Sequence, residues 1–191
     1  MKRIPEDNAG KLLAASDQLE GTNLDVSIDD VARMADIPRA TLYYYFSGKD
    51  DLIGFFLSDK LKRASVAVQK AIASEGTAVE RLERTLSSVM QAMAEHPALC
   101  TEMPAAIKDA GKFEDVVNGA DRLMLAPFRE LLIEGKTTGG LAVTDVKTTT
   151  IALIGAVNMV AMFQLVQTGE VDVEKSNRDL IPLLVHGLLP H

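Results

Sequence analysis

Apolar side chains recur at three- and four-residue intervals along the whole chain, and no stretch alternates with period two long enough to argue for a strand. A first helix is predicted from about Pro5 to Leu19, with Ala9, Leu12, Leu13 and Ser16 on one face, and a loop follows over Glu20–Val26. Ser27-Ile28-Asp29-Asp30 has the Ser-x-x-acid form of a capping box, in which the hydroxyl and the carboxylate each satisfy a backbone N–H of the other. It opens a short helix whose inner face is Ile28, Val31, Ala32 and Ala35. Asp36-Ile37-Pro38 makes a tight turn. Pro38 suits the first position of the next helix, about Pro38–Tyr45, because its missing N–H would be unpaired there anyway.

Ser47-Gly48-Lys49-Asp50 repeats the capping pattern and opens a long helix to about Ser74, striped by Leu52, Ile53, Phe56, Leu57, Leu61, Ala64 and Val68 and ended by Gly76. Thr77-Ala78-Val79-Glu80 is a third capping box, and its helix continues through Leu82, Leu86, Val89, Met90 and Met93 until Pro97. A short broken helix is expected around Pro104, closed by Gly111. The stripe Phe113, Val116, Val117, Ala120, Leu123, Met124, Phe128 and Leu131 predicts one helix ending at Gly135. After a loop at Lys136–Val143, Thr144 or Asp145 caps a helix to about Thr168, which Gly169 stops. A last helix runs from about Val173 to Leu188 with a kink at Pro182. The chain is therefore expected to be all-α, with about nine helices and no repeat, low-complexity segment or long linker.

Composition adds bounds. A chain of 191 residues is one domain, or two small ones sharing a core, and 47% hydrophobic with 25% charged residues excludes a disordered polymer. One cysteine, Cys100, allows neither an internal disulfide nor a Cys-rich zinc site, which points to a reducing compartment. The N-terminus turns polar after four residues, so no signal-peptide core is expected. Ile151–Phe163, an apolar stretch of 13 residues that contains Asn158, would span roughly 20 Å, less than the ~30 Å hydrocarbon core of a bilayer. A cytoplasmic protein with no membrane partner is expected. Net charge is -7, with 7 Lys+Arg against 11 Asp+Glu in residues 1–60, so any contact with DNA must come from a local arrangement of cations.

Two short helices joined by a tight turn within Ser27–Phe46 have the proportions of a helix-turn-helix, though an ordinary αα-hairpin shares that spacing. Side-chain types separate the two. Leu42, Tyr45 and Phe46 fall on one face of the second helix and can pack on Val31, Ala32 and Ala35, which leaves Arg39, Ala40, Thr41, Tyr43 and Tyr44 outward. Arg can fork onto guanine O6 and N7, Thr and Ala methyls can meet a thymine methyl, and Tyr hydroxyls can reach phosphates. Lys49 follows at the start of the next helix, where its ammonium and the helix N–H groups could hold another phosphate. Asp29, Asp30, Asp50 and Asp51 flank this face and should lower affinity for non-specific DNA.

The run DDVARMADIPRATLYYYFSGKDDL resembles the DNA-binding signature of the tetracycline-repressor (TetR) family of bacterial regulators, with Leu42-Tyr43-Tyr44-Tyr45-Phe46 followed by Lys49-Asp50-Asp51-Leu52. The resemblance extends over roughly residues 9–60. It implies an N-terminal three-helix DNA-binding domain at 1–50, with its helix-turn-helix at about 27–46, and a C-terminal effector-binding and dimerisation domain at 51–191. It implies that Arg39, Ala40, Thr41, Tyr43 and Tyr44 face double-stranded DNA, with phosphate contacts from the Ser27 cap region, Tyr43 and Lys49. Two positions depart from the family's pattern: Asp36 stands where the turn usually has Gly, and Pro38 where the reading helix is usually capped by Ser or Thr. Asp tolerates the left-handed conformation better than most residues, so the turn should survive. The cap bond lost at Pro38 is worth about 1 kcal/mol.

The later helices carry adaptable side chains that permit a pocket for a small apolar effector, the candidates being Met90, Met93, Phe113, Met124, Phe128, Asn158 and Met162. Plain core packing is the alternative for each of the apolar ones. Asn158, within an apolar run, needs a partner, which is either a ligand or the symmetry mate across a dimer interface built from helices 145–168 and 173–188. No enzyme is expected: His96, His186 and His191 form no metal-binding spacing, there is no phosphate loop and no nucleophile turn, and Pro97 puts Cys100 out of helical phase with His96. No cofactor, metal or catalytic residue is assigned. The expected function is a homodimeric repressor that releases a near-palindromic operator when an apolar effector binds. An activator of the same fold, or a helical interaction module without small-molecule induction, is the alternative.

Overall fold

The computed structural model describes residues 4–19 and 26–189, so the loop predicted at Glu20–Val26, apart from Val26, and His191 lie outside the described residues. Among these the chain is all-α, in nine helices if short breaks are counted as kinks. They are α1 (Glu6–Gln18), α2 (Ile28–Met34), α3 (Arg39–Tyr45), α4 (Lys49–Ile72) and α5 (Ala78–Glu95). Then come α6, in two pieces (Pro97–Thr101 and Met103–Lys108), and α7 over 114–137, followed by α8 (Val146–Thr168) and α9, again in two pieces (Val173–Asp179 and Ile181–His186). Two of the three predicted capping boxes form. Ser27 accepts from the N–H of Asp30 at 3.1 Å while Asp30 accepts from the N–H of Ser27 at 3.3 Å, and Thr77 and Glu80 do the same at 3.3 and 2.8 Å.

The third box does not. Gly48 caps α4, and Ser47 instead donates its N–H (2.9 Å) and its hydroxyl to Asp51, one residue further on than the pattern predicts. The reading helix starts at Arg39, with Pro38 as its cap residue rather than its first helical one. The stripe from Phe113 is not one regular helix either. α7 consists of Glu114–Ala120, a π turn at Asp121–Leu125 and Ala126–Thr137. Pro127 supplies the reason: it has no N–H for the carbonyl of Leu123 four residues back, and Gln69 of α4 donates its side-chain amide to that oxygen at 2.9 Å. Gly135 does not end this helix but lies within it. A Cβ there would collide with Leu141, so the glycine is a packing residue.

One continuous apolar cluster runs through the molecule. At the N-terminal end it gathers Leu12, Val31, Leu42, Phe46, Leu52 and Phe56, each nearly or wholly inaccessible. α4 carries it onward through Leu57, Leu61 and Val68 to Leu82, Leu86 and Val89 of α5, the helix on which α4, α7, α8 and α9 all pack. Burial of each such Leu or Phe contributes about 1.5–3 kcal/mol. α1 is pinned to α4 by charge as well: Arg63 grips Asp17 through two hydrogen bonds of 2.9 and 3.1 Å and reaches Asp59 at 2.6 Å, and the buried Lys60 ammonium lies 3.6 Å from Asp17.

α8 is longer than its uninterrupted apolar run. At 23 residues it is long and apolar enough to cross a membrane by length and composition, where the 13-residue stretch alone was too short. In this fold Thr150, Leu153, Val157 and Ala161 bury one side of it against α5, α6 and α7. The opposite side, with Ile151, Met159, Phe163 and Val166, is exposed, as is Leu183 of α9.

Candidate nucleic-acid interface

The candidate surface is built on the α2–α3 turn. α2 ends with the N–H of Ile37 donating to Ala32 O at 3.0 Å and that of Asp36 to Arg33 O at 3.3 Å, a Schellman arrangement that needs a left-handed residue between them. Asp36 fills that place with φ 50, as its side chain tolerates. Ile37 then turns into the core, and α3 leaves with Leu42 and Phe46 buried against α2. Arg39, Ala40, Tyr43 and Tyr44 are exposed on α3, while Thr41 and Tyr45 are half-buried. Exposures of 48% and 60% for Tyr43 and Tyr44 distinguish these rings from every core aromatic. Tyr45 packs edge-on against Tyr44, centroids 5.0 Å apart.

The charged groups are already in conversation in the free protein. Arg39 Nε lies 2.8 Å from Asp29 Oδ1, and its guanidinium sits over the Tyr43 ring at 5.3 Å. Ser27 spends its hydroxyl within α2, accepting from the Asp30 N–H and donating to the Asp30 carboxylate at 2.6 Å. Those Ser27 hydrogen bonds hold the Asp30 carboxyl below its ordinary range. Lys49, the first residue of α4, is half-buried beside Asp50 and Asp51. Asp51, held acidic chiefly by its hydrogen bonds with Ser47, occupies the positive end of α4 that the sequence suggested for a phosphate. Asp50 pairs with Lys112 at 3.4 Å, which ties the start of α4 to the loop before α7.

The effector candidates do not form one group. Met90, Met93, Met124 and Phe128 lie buried in the core between α5 and α7. Asn158 is half-buried and points its amide at Met93 Sδ, 3.8 Å away, hence into the subunit and away from the exposed side of α8. Met162, one turn on, is half-buried too. Phe113 stands apart. It lines an open groove of about 730 Å³ between α4 and α7, facing Gly54, together with Phe55, Val116 and Leu123. Sequence periodicity could not have found this groove, because it depends on how the two helices splay. Cys100 is wholly buried, and burial pushes its thiol up to about 12, far from a usable nucleophile.

Comparison with known proteins agrees with this arrangement. The family of bacterial regulatory proteins named for tetR matches residues 12–54, and the tetracyclin repressor-like C-terminal domain matches residues 75–188. The HTH-type transcriptional regulator EthR of Mycolicibacterium smegmatis is 25% identical over 137 residues, 70% of this chain, and the match spans 63% of that relative's length. The fatty acid degradation regulator FadR from Bacillus halodurans has the same fold at 18% identity, with a TM-score of 0.77 over 98% of each chain. FadR from Bacillus subtilis, solved in complex with stearoyl-CoA, does so at 18% identity, with a TM-score of 0.76 over 93% of this chain and 98% of its own. A reading unit at one end, a helical body behind it and matches that span both place the chain in the tetracycline-repressor family of bacterial regulatory proteins.

Proposed function

We propose that the chain is a cytoplasmic, homodimeric transcriptional regulator that holds a near-palindromic DNA operator and releases it when a small apolar molecule enters its helical body. Residues 1–50 act as the reading head and 51–191 as the effector and dimerisation body, with α4 common to both. The observation that carries this reading is the face of α3: an arginine and two tyrosines held outward, with Thr41 half-buried beside them, on a helix fixed by a Schellman turn and a buried Leu42–Phe46 side. So short a helix with that composition suits a major groove. Family membership supports the same conclusion, and the reading assigns no catalytic step, cofactor or metal.

Ser27, Tyr43 and Lys49 take the phosphate side of this interface and Arg39, Ala40, Thr41 and Tyr44 the base side. The exposed side of α8 with Leu183 of α9 pairs two copies. Met90, Met93, Met124, Phe128, Asn158 and Met162 form the inner effector wall, with Phe113 at the groove beside α4. The stearoyl-CoA bound by the Bacillus subtilis neighbour makes long-chain acyl-CoA the first effector to try.

Arg39→Ala should weaken binding to a selected operator by about 1–3 kcal/mol and relax the preference at one base pair per half-site. Lys49→Ala should weaken all duplexes alike and flatten the salt dependence. Fluorescence anisotropy measures both, at fixed salt for the first and across a salt series for the second. Unchanged operator affinity in the Arg39 variant would overturn the assignment of the reading face.

A further inference from the structure

Asp29 is an unexpected residue on a DNA-facing surface, since its charge repels phosphate. It sits in the first turn of α2, and Asp30 beside it is engaged by Ser27 and Arg33. Asp29 turns to α3, where its Oδ1, screened from water and without a hydrogen bond of its own, forms an ion pair with Arg39, 2.8 Å from Nε. The approach recorded is at Nε, with Nη1 and Nη2 at the far end of the guanidinium. These two terminal nitrogens form one of the forks that can span guanine O6 and N7. On its face the same guanidinium lies 5.3 Å from the centre of the Tyr43 ring. A free arginine samples many rotamers; one paired with a carboxylate and set over a ring has fewer open to it before DNA arrives.

From this geometry we propose that Asp29 is a positioning residue for base recognition, which orients Arg39 toward a guanine and so raises sequence preference while its charge lowers general affinity for DNA. The inference rests on the DNA-binding reading above and makes a prediction that electrostatic repulsion alone does not. A merely repelling carboxylate changes affinity for every duplex by the same factor. A positioning carboxylate changes the ratio between duplexes, and only while Arg39 is present.

The test uses the full chain at one salt concentration and three duplexes: an operator selected by the wild type from random sequence, the same operator with the Arg39-dependent G·C pair replaced, and a scrambled duplex. Asp29→Asn should bind the scrambled duplex as tightly as the wild type or more so. Its preference for the G·C pair should fall about tenfold, within the range that one bidentate base contact carries. In an Arg39→Ala background the same change should leave the remaining preference untouched. Asp29→Ser, also suited to a first helical turn, repeats the measurement should the asparagine variant be unstable. If removing the carboxylate tightens all three duplexes equally, Asp29 is only a repelling charge and the proposal is wrong. A wild type that selects no sequence overturns the DNA-binding reading itself, and this inference with it.

Discussion

Asp17 shows how one surface carboxylate can organise a helix junction. It takes both terminal nitrogens of Arg63 and faces the Lys60 ammonium, so α1 is bound to α4 at three atoms rather than by packing alone. The Arg63 hydrogen bonds hold its carboxyl below the ordinary range. Such a group stabilises the fold fully above about pH 4, and the contribution is lost as pH falls through the depressed folded value. Asp17→Asn should therefore lower stability at neutral pH by about 1 kcal/mol, less than a buried pair would, because the carboxylate is partly open to solvent. Urea denaturation of the two proteins should show the gap narrowing as pH falls below about 4. A gap that stayed constant with pH would assign the loss to packing instead. The neighbouring lesson concerns Asp36, whose φ of 50 bears out the expectation that an aspartate can stand in a turn where the family has glycine.

At the scale of elements, α8 is the informative one. Its two sides are both apolar, but among the described residues only one is covered. Ile151, Met159 and Phe163 recur at four-residue spacing with Gly155 between the first two and Val166 beyond, all exposed. Nothing stands over Gly155, so a second helix can approach closely there. A stripe of this kind on a free surface fits a second copy of the chain. Phe163→Asp should leave the monomer folded, since the residue is 59% exposed, and should abolish dimerisation. Sedimentation at micromolar concentration reads the result; a variant that remained dimeric would place the interface elsewhere. α7 carries the opposite message. Its hydrophobic stripe was legible, but the π turn was not, because the substitute partner for the Leu123 carbonyl comes from Gln69, which is 54 residues away in sequence.

For the molecule as a whole, α4 joins the reading head to the body. It packs on α1, α5 and α7 and is roughly 36 Å long for 24 residues. The Asp50–Lys112 pair links its first turn to the edge of the groove before α7. A molecule that wedges α7 away from α4 would shift the heads relative to one another, and a two-fold dimer cannot then meet both half-sites. Coupling of this type typically amounts to about 1–3 kcal/mol, or 5–150-fold, and must be reciprocal. An effector found by thermal shift should therefore bind more weakly by the same factor when operator DNA is present, as calorimetry with and without the duplex would show. Equal affinities would rule out induction by that molecule, however tightly it binds.

Taken by itself, the sequence determined the features governed by neighbours along the chain. Helix periodicity, the Ser27 and Thr77 boxes, the caps at Asp145 and Gly169, and the outward face of α3 depend on contacts within four residues, which spacing reports directly. Other positions differ from the local pattern. The Ser47 box gave way to a bond with Asp51 one position on, Gly135 proved to be a packing position under Leu141, and Asn158 has an intrachain partner in Met93, 65 residues away. The tertiary structure alone decided that Asp29 meets Arg39, that Phe113 leaves the other effector candidates for an outer groove, and that one side of α8 stays bare. These outcomes depend on which surfaces the packed helices present to one another, and a hydrophobic pattern records only that a side is apolar, not what covers it.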